Sequence, residues 1–246
     1  MSDAIIEFRQ VSKSFNGTPV LAGMDLAIRP AETLTIIGGS GTGKSVTLKL
    51  IVGLLKPDGG QVLIEGEDVV PLTEDQLLRV RKKIGMVFQS SALFDSLSVA
   101  DNIAYPLREH TTMSEKDIRD RVRETLHLVG LDGIGDKDPA ELSGGMRKRV
   151  ALARAIALAP RIILYDEPTT GLDPTNTEKI NELIVDMEEK LGVTSVVVTH
   201  DMRSAFRVSD RIALLYQGTI VFAGTPREIE SSDLPLVRQF IAGTLS

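Results

Sequence analysis

Residues 33–55 read TLTIIGGSGTGKSVTLKLIVGLL, and how these letters are interpreted decides the fold. A short apolar run gives way to a glycine-rich loop, and the loop opens into a helix-forming stretch. The loop residues Gly38, Gly39, Ser40, Gly41, Thr42, Gly43, Lys44 and Ser45 match the pattern G-x-x-x-x-G-K-[ST]. Glycines let a backbone wind closely round an anion, so its N–H groups and the positive end of the following helix point at phosphate. Lys44 then reaches the β- and γ-phosphates of a nucleotide, and the Ser45 hydroxyl is a candidate Mg²⁺ ligand. The bland alternative is a glycine-rich turn with no ligand. The lysine, the serine and the flanking elements together argue against it.

Two further apolar runs end in polar residues that complement this loop. Residues 161–168, RIILYDEP, place Asp166 and Glu167 at the C-terminal edge of a parallel sheet, where open α/β folds bind ligands. Asp166 is the natural Mg²⁺ partner, directly or through water, and Glu167 the candidate to position and polarise an attacking water. His200 closes residues 193–200, VTSVVVTH, on the same edge, where it can contact a γ-phosphate or orient the water. Singly, both signals are weak, because strand ends are often merely solvated and a lone histidine often packs or caps. Beside a phosphate loop they form one constellation. His110 and His127 show no metal-ligand spacing and read as structural or surface residues.

Working outward, near-continuous apolar strands alternating with helices imply an α/β fold with a parallel sheet covered on both faces. Residues 5–15 and 21–30 alternate apolar and polar letters around NGTP, and 59–69 reads as a hairpin, so antiparallel strands accompany that sheet. From 91 to about 140 the sequence turns helical, with Ile118, Val122, Leu126 and Val129 at helical spacing. Ser143 is a candidate cap for a helix running to Ala159 and stopped by Pro160. Residues 211–224 read as a hairpin. Asp233 and Pro235 mark a final helix, whose Leu236, Val237, Phe240 and Ile241 pack on its own domain or, alternatively, on another subunit.

Composition narrows the function. At 246 residues the chain is one large domain, with room for a subdomain. Its net charge of -6 argues against a general nucleic-acid binder, and no direct nucleic-acid contact is expected. Without cysteine there is no disulfide, thiolate zinc site or cysteine nucleophile. No apolar run approaches the roughly 20 residues that span a bilayer, and MSDAIIEFRQ lacks the features of a signal peptide. Work at a membrane would need a partner to hold the chain there.

Six ordered segments, GGSGTGKS, MVFQ, LSGGM, IILYDEP, GLDP and VTH, resemble the motifs of ABC-type ATPase subunits over essentially the full length. The resemblance implies a single ABC ATP-binding domain, 1–246, with a P-loop NTPase core and a mostly parallel sheet. It implies an N-terminal antiparallel β subdomain within a core of 1–90 and 142–225, an inserted helical subdomain at 91–141, and a C-terminal helical tail at 226–246. ATP and Mg²⁺ are the implied ligands, held in a sandwich of two copies. One copy's loop holds ATP, while Ser143, Gly144 and Gly145 of the other cover the γ-phosphate and Asp173 contacts the opposite site. By the same likeness Gln89 senses γ-phosphate and Mg²⁺, alongside Lys44, Glu167 and His200, and Phe15 stacks on adenine unless it is a core phenylalanine.

Four positions depart from the common family pattern. Val46 replaces a threonine, leaving its phosphate contact to backbone or Thr47; Gly39 replaces a proline, Phe15 a tyrosine and Met146 a glutamine. Arg147, Lys148 and Arg149 begin a helix, where the dipole disfavours cations by about 0.3–1 kcal/mol each. The resemblance supplies an offsetting anion, the partner's γ-phosphate, for some of the three.

LSGGMRKRVALARAIALAP, LFDSLSVADNIAYPLREHT and PLVRQFIAGTLS are similar to segments of the ATPases of Mla/Mce-type phospholipid transport systems. That likeness implies a homodimer on the cytoplasmic face of the inner membrane, bound to an integral permease whose far side meets an MCE-domain lipid-binding protein. Leu93, Phe94, Leu97 and Tyr105 are candidates to receive a permease helix, or are subdomain core. Some members carry a longer tail that grips the other subunit, and with the sequence ending at Ser246 that grip is not expected. An importer ATPase for small polar solutes and a soluble ABC ATPase in cofactor assembly are the competing functions.

Overall fold

Strand β3 (Thr33–Ile37), which leads into the phosphate loop, lies inside a six-stranded sheet in the computed structural model, which describes residues 4–244. Met1, Ser2 and Asp3 of the expected core, and Leu245 and Ser246 of the expected tail, lie outside the described residues. Strands β8 (Thr194–Thr199) and β9 (Arg211–Tyr216) flank β3 in parallel. Strands β7 (Ile162–Asp166) and β6 (Ile84–Val87) extend the parallel set, and β10 (Thr219–Gly224) closes the far edge antiparallel to β9.

The central strands read as unbroken apolar runs because both of their faces are buried. Leu34 and Ile36, Ile162 and Leu164, and Val196 and Val198 enter one core, while the intervening Ile163, Tyr165 and Val197 enter another on the opposite face. The first core is closed by an antiparallel sheet ordered β2-β1-β4-β5, formed by β1 (Ile6–Phe15), β2 (Thr18–Ile28), β4 (Gly59–Ile64) and β5 (Glu67–Asp68). Asn16 and Gly17 turn β1 into β2 with φ of 50° and 80°, the positive angles a two-residue hairpin loop requires.

Helix α1 (Lys44–Ile51) follows the phosphate loop directly. Helix α2 (Glu74–Arg81) was not expected, although Thr73 and Gln76 form a reciprocal capping box that the letters TEDQ advertise. Residues 91–141 hold α3 (Val99–His110) and α4 (Glu115–Leu128), capped by Ser98 and Ser114, but helix begins only at Val99. Ser91 and Ala92 have φ of 65° and 45°, which no right-handed helix accommodates, and the buried Asn102 amide ties down the carbonyls of Phe94, Leu97 and Ser98. Ile118, Val122, Leu126 and Val129 are all buried, as their spacing predicts.

Ser143 does cap α5 (Gly144–Ile156), its hydroxyl accepting from the Met146 N–H. The helix ends at Ile156 rather than Ala159, and Ala159 itself has φ of 50°. Helices α6 (Pro174–Leu191) and α7 (Met202–Val208) are capped by Asp173 and Asp201. After α8 (Pro226–Glu230), α9 (Pro235–Ile241) packs on its own chain: Val237 is fully buried beside Ile37, Leu214 and Ile229. Asp233 does not cap α9, whose cap residue is Leu234; its carboxylate pairs with Arg238 instead.

Candidate nucleotide site

The sheet brings the C-terminal ends of β3, β7 and β8 together, and with them three polar segments distant in sequence. Their junction is a cleft of about 450 Å³ lined by Phe15, Val20, Ser40, Gly41, Gly43, Lys44, Ser45, Val46, Gln89, Glu167 and His200. Gly38, Gly39 and Thr42 lie just outside this lining. Gly39 and Thr42 border a neighbouring groove on the outer side of the loop. Gly43 has φ of 104°, a conformation side chains resist, and a Cβ there would stand 2.9 Å from Val20. The loop thereby reaches its tight path into α1.

Lys44 is buried, and its ammonium donates to the carbonyls of Gly38 at 2.8 Å and Gly39 at 2.9 Å. Burial lowers its pKa, with Glu167 and Asp166 opposing the shift. The Ser45 hydroxyl donates to Asp166 Oδ1 at 2.8 Å, so the hydroxyl of α1 and the buried carboxylate of β7 converge. These are hard oxygen donors of the kind Mg²⁺ prefers. Among the described residues no group of three or more His, Cys, Asp or Glu side chains could hold a metal.

Glu167 occupies the left-handed region at φ 49°, a cost of roughly 1–3 kcal/mol for a residue with a side chain. Three donors fix its Oε2: His200 Nδ1 at 2.9 Å, Thr170 Oγ1 at 3.2 Å and Thr199 Oγ1 at 3.3 Å. Oε1 has no hydrogen-bond donor among the described residues. Thr170 and Thr199 went unnoticed in the sequence, although Thr199 is the polar letter that ends β8 beside His200.

Phe15 is 41% exposed and lines the cleft, so it is not core; the Lys13 ammonium lies 5.5 Å from its ring centroid. Thr47 does not face the cleft. It is fully buried and its hydroxyl donates to the Gly43 carbonyl, so it cannot stand in for the hydroxyl missing at Val46.

Ser143, Gly144, Gly145 and Asp173 lie away from this cleft and close to one another. A Cβ on Gly145 would stand 2.7 Å from Asn176 Oδ1, and the Asn176 amide donates to Asp173 at 2.5 Å, holding that carboxyl below the usual range. Each residue of the basic run behind Ser143 has a carbonyl partner within the chain, and Arg147 remains exposed. Arg147 donates to the Leu142 carbonyl, Arg149 to those of Val129 and Gly130, and Lys148 to those of Gln89 and Glu167. These carbonyl oxygens offset part of the dipole cost.

A second, mostly apolar hollow of about 540 Å³ lies beside Gln89, lined in part by Leu78, Met86, Phe88, Phe94, Tyr105 and Leu158. Phe94 and Tyr105 are 45% and 44% exposed, with ring centroids 5.0 Å apart. Leu93 packs against the helical core, and Leu97 is half-buried.

Comparison with known proteins identifies the family. A family model described as ABC transporter matches residues 21–170. The chain belongs to the ABC transporter ATP-binding family and is an ATPase of that family. Its more particular likenesses lie among transport ATPases. It is 44% identical to a probable ribonucleotide transport ATP-binding protein, mkl, of Mycobacterium leprae, over 97% of this chain and 69% of that protein. It is 40% identical to the intermembrane phospholipid transport system ATP-binding protein MlaF of Haemophilus influenzae, over 99% of this chain and 92% of that protein. A solved dimeric ATP-binding cassette in a post-hydrolysis state with ADP and Pi superposes with a TM-score of 0.83 at 36% identity, covering 90% of this chain and 99% of that one.

Proposed function

We propose that this chain is the ATP-hydrolysing subunit of a membrane phospholipid transporter of the Mla/Mce type. The observation that carries the reading is the 40% identity to MlaF, which spans nearly all of both chains. Two copies pair on the cytoplasmic face of the inner membrane and enclose ATP between them. Among the described residues no helix is long and apolar enough to cross a membrane, which fits a chain held there by an integral permease. The apolar hollow with Phe94 and Tyr105 is the surface we assign to a permease helix, and an MCE-domain lipid-binding protein completes the complex.

In each site the loop from Gly38 to Ser45 cradles the β- and γ-phosphates, Lys44 adds positive charge, Val46 contributes backbone, and Phe15 stacks on adenine. Ser45, Asp166 and Gln89 hold Mg²⁺, which supplies Lewis-acid charge to the γ-phosphate when bound. Glu167 aligns the attacking water, with His200 fixing one carboxylate oxygen and facing the γ-phosphate. Ser143, Gly144, Gly145 and Asp173 act on the nucleotide of the other copy. Their distance from this copy's cleft supports that division.

The mkl protein's name favours a second cargo, a ribonucleotide, on unchanged ATPase chemistry. Purification of the native complex from membranes, followed by extraction of bound small molecules, separates the two. Phospholipid with an integral permease is the expected result. A permease carrying a polar solute and no lipid would overturn the phospholipid reading.

A further inference from the structure

Lys148 stands out as a buried cation that the proposed chemistry does not use. It lies in the second turn of α5, and only 6% of it is exposed. Its ammonium donates to the Gln89 carbonyl at 2.8 Å and to the Glu167 carbonyl at 3.2 Å. These belong to two residues that line the nucleotide cleft just beyond the ends of β6 and β7. Burial lowers the Lys148 pKa, with Glu167 and Asp166 opposing the shift, so the charge is held in a desolvated place by the same carboxylates that serve Lys44.

Each bond falls where the backbone needs a hold. Glu167 sits at φ 49°, and its peptide is pinned by its own N–H to Val198 at 2.9 Å, by Thr170 N–H at 3.3 Å and by Lys148. Beyond Gln89 the chain turns through Ser91 and Ala92, both with positive φ, whose carbonyls accept from Arg154 at 3.0 Å and 2.7 Å. Helix α5 thus grips the Gln89–Ala92 segment at both ends and Glu167 with the same lysine. At its exposed start the helix carries Ser143 and Gly144.

We propose that Lys148 is a positioning residue that locks the backbones of Gln89 and Glu167 to α5, so that the helix end facing the other copy's nucleotide and the residues facing this copy's nucleotide shift as one body. A helix transmits displacement along its axis with little loss, and Ser143 and Lys148 are little more than one turn apart. Arrival of the partner's γ-phosphate at Ser143 is felt at Glu167 through Lys148. The proposal rests on the assignment of Glu167 as the residue that aligns water.

Steady-state ATP hydrolysis by the assembled transporter tests it, with Lys148→Met, Lys148→Gln and Glu167→Gln compared against wild type. Lys148→Met keeps the side-chain volume and is expected to lose roughly 10- to 100-fold in kcat, the scale of a misplaced catalytic group, with KM for ATP within about 2-fold and binding of ATP intact. Lys148→Gln, whose amide restores part of the donation, is expected to recover much of the loss. If Lys148→Met does not fold, Lys148→Ala, which also removes the donor, carries the test through the same split of kcat from KM. Wild-type kcat in the folded Lys148→Met or Lys148→Ala variant while Glu167→Gln is inactive, or a rise in KM with kcat unchanged, overturns the role of Lys148. Wild-type turnover by Glu167→Gln overturns the assignment on which it rests, whatever the lysine variants do.

Discussion

At the residue scale, the proposed chemistry depends on a carboxylate whose backbone and side chain are both constrained. Glu167 is held at one oxygen by His200, Thr170 and Thr199, so replacement by glutamine preserves shape while removing the charge we assign to polarising water. Glu167→Gln is expected to keep ATP affinity, cut turnover by about 100-fold or more and accumulate an ATP-bound dimer; light scattering with a phosphate-release assay reads both. Phe15, exposed at the cleft, is expected to contribute stacking of about 1 kcal/mol. Phe15→Ala should therefore raise KM for ATP about 5-fold with little change in kcat. The phosphate loop, Asp166, Glu167 and His200 were legible because each ends an apolar strand. Thr47 was not, since only its burial shows that its hydroxyl is spent on Gly43.

At the element scale, the starts of α5 and α6 are packed together through Gly145 and Asn176. A methyl at position 145 would collide with the Asn176 amide that holds Asp173, so one substitution disturbs both segments assigned to the opposite nucleotide. Gly145→Ala is expected to lower ATPase activity several-fold, in keeping with the misplacement of positioned groups, while the melting temperature falls by only a few degrees. Ser143→Arg crowds the exposed cap and should leave ATP binding and folding intact while blocking hydrolysis; normal turnover would remove Ser143 from the opposite site. Helix α5 was foreseen from its cap. Its early end was not, because the apolar letters continue through Ala159 while the chain turns to start β7.

At the scale of the whole molecule, the proposed function makes ATP the glue between two copies and hydrolysis dependent on a cation held near Ser45 and Asp166. Removal of Mg²⁺ with EDTA is expected to abolish phosphate release and leave ATP binding measurable by equilibrium dialysis; undiminished hydrolysis would exclude a metal role for these residues. The motifs and apolar periodicity of the sequence were enough to determine the parallel α/β core, the phosphate loop and the strand-end carboxylates, because local spacing encodes strand, turn and helix directly. What only the tertiary structure decided is where the side chains of 147–149 and of Thr47, Thr170, Thr199 and Arg154 find their partners. Those bonds join residues far apart in the chain or depend on how a local turn or helix face is oriented. Lys148 is the plainest case: a basic letter at the start of a helix reads as an anion site, and burial against Gln89 and Glu167 makes it an internal tie.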